Sequence, residues 1–555
     1  MDYRKEYQRW LERVQQEELI LELESMSEDK IEDAFYRNLS FGTGGLRGVI
    51  GAGTNRMNVY TVRKASQGLA NYLLKISDRP SIAVSYDSRI KSDVFSREAS
   101  AVFAANGIKV YLYPCLMPTP CLSFAVRELG CTAGIMVTAS HNPSKYNGYK
   151  VYGSDGCQIT TEAAEEIFAE IQKLDIFDDV KTTSFDEAFT KGCIEYINND
   201  IYTAFTEEVK KQSVLFGDEI DRAVAIVYSP LNGTGLKPVT RVLQESGFTN
   251  ITIVKEQEQP DGNFPTCPYP NPEIDEAMKL GLEYCEKLGA DLLLATDPDC
   301  DRCGIAVRSE DGYKLLSGNE VGLLLLDYIC SQRSKHGKMP SHPVFVKTIV
   351  TMDLAEKIAQ HYSVETINVL TGFKFIGEVI GKLEAENRED DYICGFEESY
   401  GYLTGSYVRD KDAVNAAFMI CEMFAFYKTR GISLPDKLKE IYRLYGYCLN
   451  TLHSYEFEGA SGMLKMQKIM DGFRAGVSSV GEKPVLECQD YMKNIDGLPA
   501  SDVLKYKLEG DCSVVIRPSG TEPKLKAYIS VTAENYAVAA EIEKKIAADL
   551  LKRMN

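Results

Sequence analysis

No stretch of the sequence reaches the run of about 18 apolar residues that a membrane-spanning helix needs. Basic residues are in short supply: 62 Lys and Arg face 81 Asp and Glu, a net charge of −19. Such a surface disfavours non-specific binding to nucleic acid or to anionic membranes, and an anionic substrate would need cations gathered in its site. Five histidines leave little for a His-rich metal centre. The opening residues, Met1-Asp2-Tyr3-Arg4-Lys5-Glu6, contain no apolar signal segment. Fifteen scattered cysteines without an export signal read as reduced thiols in the cytoplasm. Their one close pair, Cys300 and Cys303, lacks the second pair or histidine of a zinc site and reads as coincidence. The nucleotide fingerprints fail as well. Phe41-Gly42-Thr43-Gly44-Gly45-Leu46-Arg47-Gly48 reads as a flexible loop with one cation and does not fit G-x-x-x-x-G-K-[ST]. Gly51-Ala52-Gly53-Thr54-Asn55-Arg56 has Arg56 where a dinucleotide loop needs its third glycine.

What is present is a soluble-globular composition, 44% apolar and 26% charged, in a chain too long for one core. Residues 2–37 read as a helical arm. Strand–helix alternation then begins at Ser81, restarts at Arg222 and restarts again at Pro343, which predicts three α/β domains with mixed, largely parallel sheets. After about residue 440 the rhythm changes to a smaller α+β domain, with surface connections near 259–272 and 481–500. The expected divisions are an arm over 1–40 and domains over 41–210, 211–325, 326–440 and 441–555.

Four polar segments at strand ends carry the chemistry. Thr138-Ala139-Ser140-His141-Asn142-Pro143 follows the apolar run Gly134-Ile135-Met136-Val137 and offers one hydroxyl as nucleophile or phosphate carrier. His141 reads as a loop hydrogen-bonder, because adjacent side chains tend to diverge. Thr296-Asp297-Pro298-Asp299-Cys300-Asp301-Arg302 places three carboxylates at alternate positions, which an extended segment would turn to one side. Their mutual repulsion calls for a hard cation, Mg²⁺ first. Cys394-Gly395-Phe396-Glu397-Glu398-Ser399 offers an acceptor and a donor to sugar hydroxyls, with Arg409 and Lys411 close behind. Ile516-Arg517-Pro518-Ser519-Gly520-Thr521 combines a guanidinium fork with hydroxyls and close backbone N–H groups, a pattern suited to phosphate. Tyr86-Asp87-Ser88-Arg89 reads as structural or supporting.

In kind and in order, these four segments resemble the loops of the α-D-phosphohexomutase superfamily, over roughly residues 40–550. The arm and the Phe41–Gly48 run resemble its branch of larger phosphoglucomutases and phosphopentomutases. The resemblance implies a heart-shaped, four-domain molecule that contributes one loop per domain to a central cleft. It implies that Ser140 carries a phosphoryl group and that Asp297, Asp299, Asp301 and the serine group hold one Mg²⁺. Lys150, Arg47 and Lys411 would be catalytic. Glu397, Ser399, His141, Lys374, Arg302, Arg517, Ser519, Gly520 and Thr521 would bind substrate. The implied reaction interconverts glucose 1-phosphate and glucose 6-phosphate through glucose 1,6-bisphosphate, which also serves as activator. Small sugar phosphates would be the partners, with no nucleic acid, membrane or obligate protein partner. Phosphomannomutase or phosphopentomutase activity, a metal-dependent sugar phosphatase with Asp297 as nucleophile, and a non-catalytic sugar-phosphate sensor are the alternatives.

Overall fold

The structure is a computed structural model that describes the chain apart from residues 1, 43, 458, 520–523 and 555 and the side chains of 459–461 and 496. It contains four sheets in succession. The first has seven strands, in the order Phe41–Gly42, Gly45–Val49, Tyr146–Gly153, Ala133–Val137, Ser81–Tyr86, Lys109–Leu112 and Ile194–Tyr196. The second, of five strands, centres on Leu292–Thr296, parallel to Ile226–Ser229 and antiparallel to Cys303–Ser309. The third, of four strands, centres on Val344–Thr348 and Tyr392–Glu397. The fourth, of six strands, is antiparallel throughout. Three mixed α/β sheets and one α+β unit agree with the expected fold class. Among the described residues no helix is long and apolar enough to cross a membrane.

One arrangement recurs, though its sequence identity is too weak to see by eye. In each of the first three sheets a fully buried strand turns back on itself through a polar loop into an antiparallel partner. These pairs are Ala133–Val137 with Tyr146–Gly153, Leu292–Thr296 with Cys303–Ser309, and Tyr392–Glu397 with Gly401–Thr404. In each loop one non-glycine residue has a left-handed backbone: Ser140 at φ 54°, Cys300 at φ 51° and Tyr400 at φ 66°. Such residues cost about 1–3 kcal/mol unless their surroundings hold them. The fourth segment, after Cys512–Pro518, also joins an antiparallel pair.

The arm is helical as expected, in three helices, Tyr3–Arg13, Glu17–Glu24 and Glu28–Phe35. It shares a core with the first sheet: Trp10 is fully buried, with the rings of Phe35, Tyr60 and Phe177 edge-on at 5.5–5.6 Å. The Phe41–Gly48 run is no free loop. Its described residues form a hairpin whose second strand pairs with Tyr146–Gly153. The Gly51–Arg56 run receives a carboxylate of the chain itself, since Glu22 Oε2 accepts from the Ala52 N–H at 2.9 Å. The 481–500 connection contains a strand, Lys483–Asp490, that its polar, half-exposed alternation concealed.

Candidate active site

The serine loop is built around a buried arginine. Arg89 stands two residues beyond Asp87, and its guanidinium donates to the carbonyls of Pro143 (3.0 Å) and Tyr146 (3.1 Å) and to those of Ser140 and Asn142. Asp87 lies 3.4 Å from Arg89 Nε and accepts from Thr138 Oγ1 at 2.6 Å, while Thr138 Oγ1 accepts from the Ser140 N–H at 2.8 Å. Arg89 thus fixes the left-handed turn at Ser140. Sequence reasoning gave it only a supporting part; the signal was a charged pair directly after an apolar strand.

That turn brings the neighbouring side chains together where divergence was expected. Ser140 Oγ lies 3.1 Å from His141 Nδ1 and 3.1 Å from Asp297 Oδ2. Burial, reinforced by Arg302 and Arg47, pushes His141 well below the ordinary imidazole range, so the ring is neutral at the serine oxygen.

The three aspartates converge, but not by strand alternation. Residues 297–300 form a turn closed by the Cys300 N–H donating to the Asp297 carbonyl at 2.9 Å. All three carboxylates are buried, with one oxygen from each within 4.8 Å of the others. Asp297 Oδ1 accepts from the N–H groups of Asp301 and Arg302, both at 3.0 Å. Asp299 Oδ2 accepts from Lys150 Nζ and from Thr119 Oγ1, each at 2.9 Å. Lys411 Nζ lies 2.8 Å from Asp301 Oδ2. Asp299 Oδ1 and Asp301 Oδ1 are buried without a hydrogen-bond partner. Burial, then Asp301 and Asp299, raise the Asp297 carboxyl far above its usual range. Crowded all-oxygen donors with two orphaned oxygens fit a hard divalent cation. Cys300 and Cys303 are no part of that donor set, since burial pushes both thiols up, the reverse of what thiolate ligation needs.

Cations surround this centre. For both Lys150 and Lys411 burial alone would lower the ammonium pKa, but the neighbouring carboxylates outweigh it and raise both. Arg302 pairs with Glu273 at 3.2 Å. Arg47 is exposed on its hairpin and reaches Asn142 Oδ1 at 3.5 Å. Glu397 is buried; its carboxyl is raised by burial against the pull of Lys411 and Arg302, and it accepts from Ser399 Oγ at 3.2 Å. Burial, then Glu397, push the Glu398 carboxyl up to about 7, with Arg517 acting in the opposite direction. A string of charges therefore runs from the aspartates through Glu397 and Glu398 to Arg517. Arg517 itself donates to the Tyr528 hydroxyl at 3.0 Å. Ser519 closes its turn by donating its N–H to the Lys524 carbonyl at 2.7 Å. Gly520 and Thr521 lie outside the described residues. The Lys374 carbonyl accepts from Cys157 Sγ at 3.2 Å, its ammonium lies 5.1 Å from the centre of the Phe375 ring, and burial lowers its pKa.

Family models for phosphoglucomutase/phosphomannomutase match the chain in order: alpha/beta/alpha domain I over 38–176, domain II over 203–312, domain III over 317–445 and the C-terminal domain over 479–549. A phosphoglucomutase of Staphylococcus saprophyticus is 37% identical over 542 residues, covering 95% of this chain and 96% of its own. The chain belongs to the phosphoglucomutase/phosphomannomutase family. Another relative, a phosphoglucomutase of Staphylococcus aureus strain MSSA476, is 35% identical over 551 residues, 96% of each chain. The family fold is shared with two solved structures. One is pp63/parafusin, a phosphoglucomutase from Paramecium in its open form, with a TM-score of 0.69 at 18% identity over 94% of this chain and 95% of that one. The other is a phosphoglucomutase/phosphomannomutase family protein from Burkholderia thailandensis, with a TM-score of 0.68 at 18% identity over 92% and 97%.

Proposed function

We propose that this family member is a phosphoglucomutase that interconverts glucose 1-phosphate and glucose 6-phosphate through a phosphoserine at Ser140 and glucose 1,6-bisphosphate. The observation that carries the reading is the meeting of Ser140 Oγ with a buried cage of three aspartates flanked by two lysines. The choice of glucose follows the relatives, which are named phosphoglucomutases. The loops would act one per domain, with domain divisions near residues 41, 211, 326 and 441.

Phosphoryl transfer asks for positioning and charge neutralisation. Asp297, Asp299 and Asp301, with the serine group, would hold Mg²⁺, which when bound draws negative charge from the phosphoryl oxygens. Arg47 and Arg302 add positive charge on the same side. In the first half-reaction the P–Oγ bond of phosphoserine breaks, leaving Oγ as an oxyanion, and a bond from phosphorus to the free sugar oxygen forms. The hydroxyl proton would pass to Lys150 in its deprotonated form, which a cation taking up the charge of Asp299 and Asp301 would favour over the ammonium those carboxylates otherwise hold. The bisphosphate reverses its orientation. Its other phosphate then passes to Ser140 Oγ, and the departing sugar oxygen recovers a proton, with Lys411 a second donor on that side. Glu397 and Ser399 would hold sugar hydroxyls in both orientations, His141 would stay hydrogen-bonded at the serine oxygen, and Lys374, Arg517, Ser519, Gly520 and Thr521 would grip the non-reacting phosphate. A hydrolase with Asp297 as nucleophile fits less well, because both oxygens of Asp297 are engaged, by two backbone N–H groups and by Ser140.

Mass spectrometry after incubation with glucose 1,6-bisphosphate should place one phosphate on Ser140. Ser140→Ala should lose about a thousandfold or more in kcat, as loss of a covalent carrier does. Turnover surviving in Ser140→Ala would overturn the reading.

A further inference from the structure

Lys411 reaches the aspartate cage on a loop of the third domain, and that loop is pinned to the first domain at three points. The Arg409 N–H donates to Ser123 Oγ at 2.9 Å. Glu384 bridges the buried Arg409 (2.6 Å) and Arg127 (2.6 Å). The third pin involves neither a motif residue nor a surface ion pair: the fully buried Tyr152 hydroxyl donates to Asp410 Oδ2 at 2.8 Å. The other oxygen of Asp410 accepts from the Lys411 N–H at 2.9 Å and lies 3.4 Å from Lys411 Nζ. Tyr152 follows Lys150 by two residues on the strand Tyr146–Gly153, so the two side chains share a face of that strand. Lys150 Nζ lies 3.5 Å from Asp301 Oδ2 and Lys411 Nζ 2.8 Å from the same oxygen. One strand of the first domain therefore sets both ammonium groups, Lys150 directly and Lys411 through Tyr152 and Asp410.

We propose that Tyr152 and Asp410 are positioning residues that hold Lys411 against the aspartate cage, coupling the lysine of the third domain to the strand that bears Lys150. Tyr152 is suited to this because burial, with Asp410 beside it, keeps its phenol protonated and so a permanent donor. Asp410 accepts at both oxygens, which fixes its carboxylate plane and with it the backbone N–H and the ammonium of the next residue. Tyr152→Phe removes one oxygen atom and leaves the ring packing intact.

The inference rests on the mutase reading, and the test separates the two. The kcat and KM for glucose 1-phosphate are measured at saturating glucose 1,6-bisphosphate and Mg²⁺ for wild type, Tyr152→Phe, Lys411→Gln and the double variant, with thermal unfolding of each. Tyr152→Phe should lower kcat about tenfold or more with KM within about twofold, and should cost less than about twofold further once Lys411 is already Gln, since residues acting through one another are not additive. Asp410→Asn, which keeps the side-chain shape, should show the same split and serves where Tyr152→Phe does not fold. A wild-type kcat in a folded Tyr152→Phe or Asp410→Asn protein, or a loss that multiplies in full with that of Lys411→Gln, overturns the positioning role alone. A wild-type protein that does not interconvert the two glucose phosphates overturns the mutase reading and this inference together.

Discussion

Arg89 directs its guanidinium at backbone carbonyls of the serine loop, and Asp87 is the counter-charge that makes its burial tolerable. Removing one partner of a buried pair strands the other, at a cost of about 3–5 kcal/mol. Arg89→Met should lower the free energy of urea unfolding by about that amount, and adding Asp87→Asn should recover part of it. A change confined to less than about 1 kcal/mol would mean that solvent reaches Asp87. At this scale the sequence was partly legible. Ser140 and the three aspartates stand out because polar groups cluster after apolar runs. Thr119, Tyr152 and Asp410 do not, and Arg89 shows only as a charge after an apolar strand, because their meaning lies in contacts made 51 to 258 positions away. The pairing of Ser140 with His141 was misread for a local reason: divergence of neighbours presumes ordinary backbone angles, and Ser140 has φ 54°.

At the scale of elements, the strand–loop–strand unit explains why the motifs sit where they do. Each loop is anchored at both ends by a ladder, so its side chains inherit the rigidity of the sheet. The aspartate loop has a further support in Gly233. A Cβ there would lie 2.5 Å from Pro298 Cα and 2.7 Å from its carbonyl oxygen. Thr234 beside it donates to the same carbonyl from its N–H at 2.9 Å and from its hydroxyl at 3.0 Å. Gly233→Ala should push the loop outward and weaken binding of the proposed Mg²⁺ by about tenfold or more, the usual effect of disturbing the surroundings of metal ligands. Calorimetric titration with Mg²⁺ reads this directly, and an unchanged affinity would show that the loop yields without moving its carboxylates. The central strands of the first three sheets, such as Ser81–Tyr86, Leu292–Thr296 and Val344–Thr348, were legible from apolar runs, but the returning partners Tyr146–Gly153, Cys303–Ser309 and Gly401–Thr404 were not. The hairpin at Phe41–Val49 was hidden by its glycines, and Lys483–Asp490 by its polar face.

Across the whole molecule, the sheets are held together by buried polar contacts that cross from one to another, as Thr119 meets Asp299 and Lys505 meets Asp353. The Arg127–Glu384–Arg409 bridge is the one that acid should open. The hydrogen bond from Arg127, opposed by burial and aided by Arg409, holds the Glu384 carboxyl down to about 2, against an ordinary value of 4.5. The unfolded chain therefore binds this proton first as pH falls. The stabilisation is fully present above about pH 4.5 and is lost progressively between 4.5 and 2. Glu384→Gln should make the unfolding temperature fall less steeply than in wild type through that window, and added salt should narrow the difference, because the carboxylate is 43% exposed. Parallel curves for the two proteins would show that the bridge contributes nothing to holding the first and third domains together.

The arm carries the only tryptophan of the chain, and Trp10 is fully enclosed by aromatic rings of the arm and the first domain. Nature has thereby left a single-site optical probe at the seam between arm and body, with no competing indole elsewhere. Its emission colour reports the dryness of that seam alone, so undocking of the arm can be followed in the intact chain, during turnover, without attaching a label.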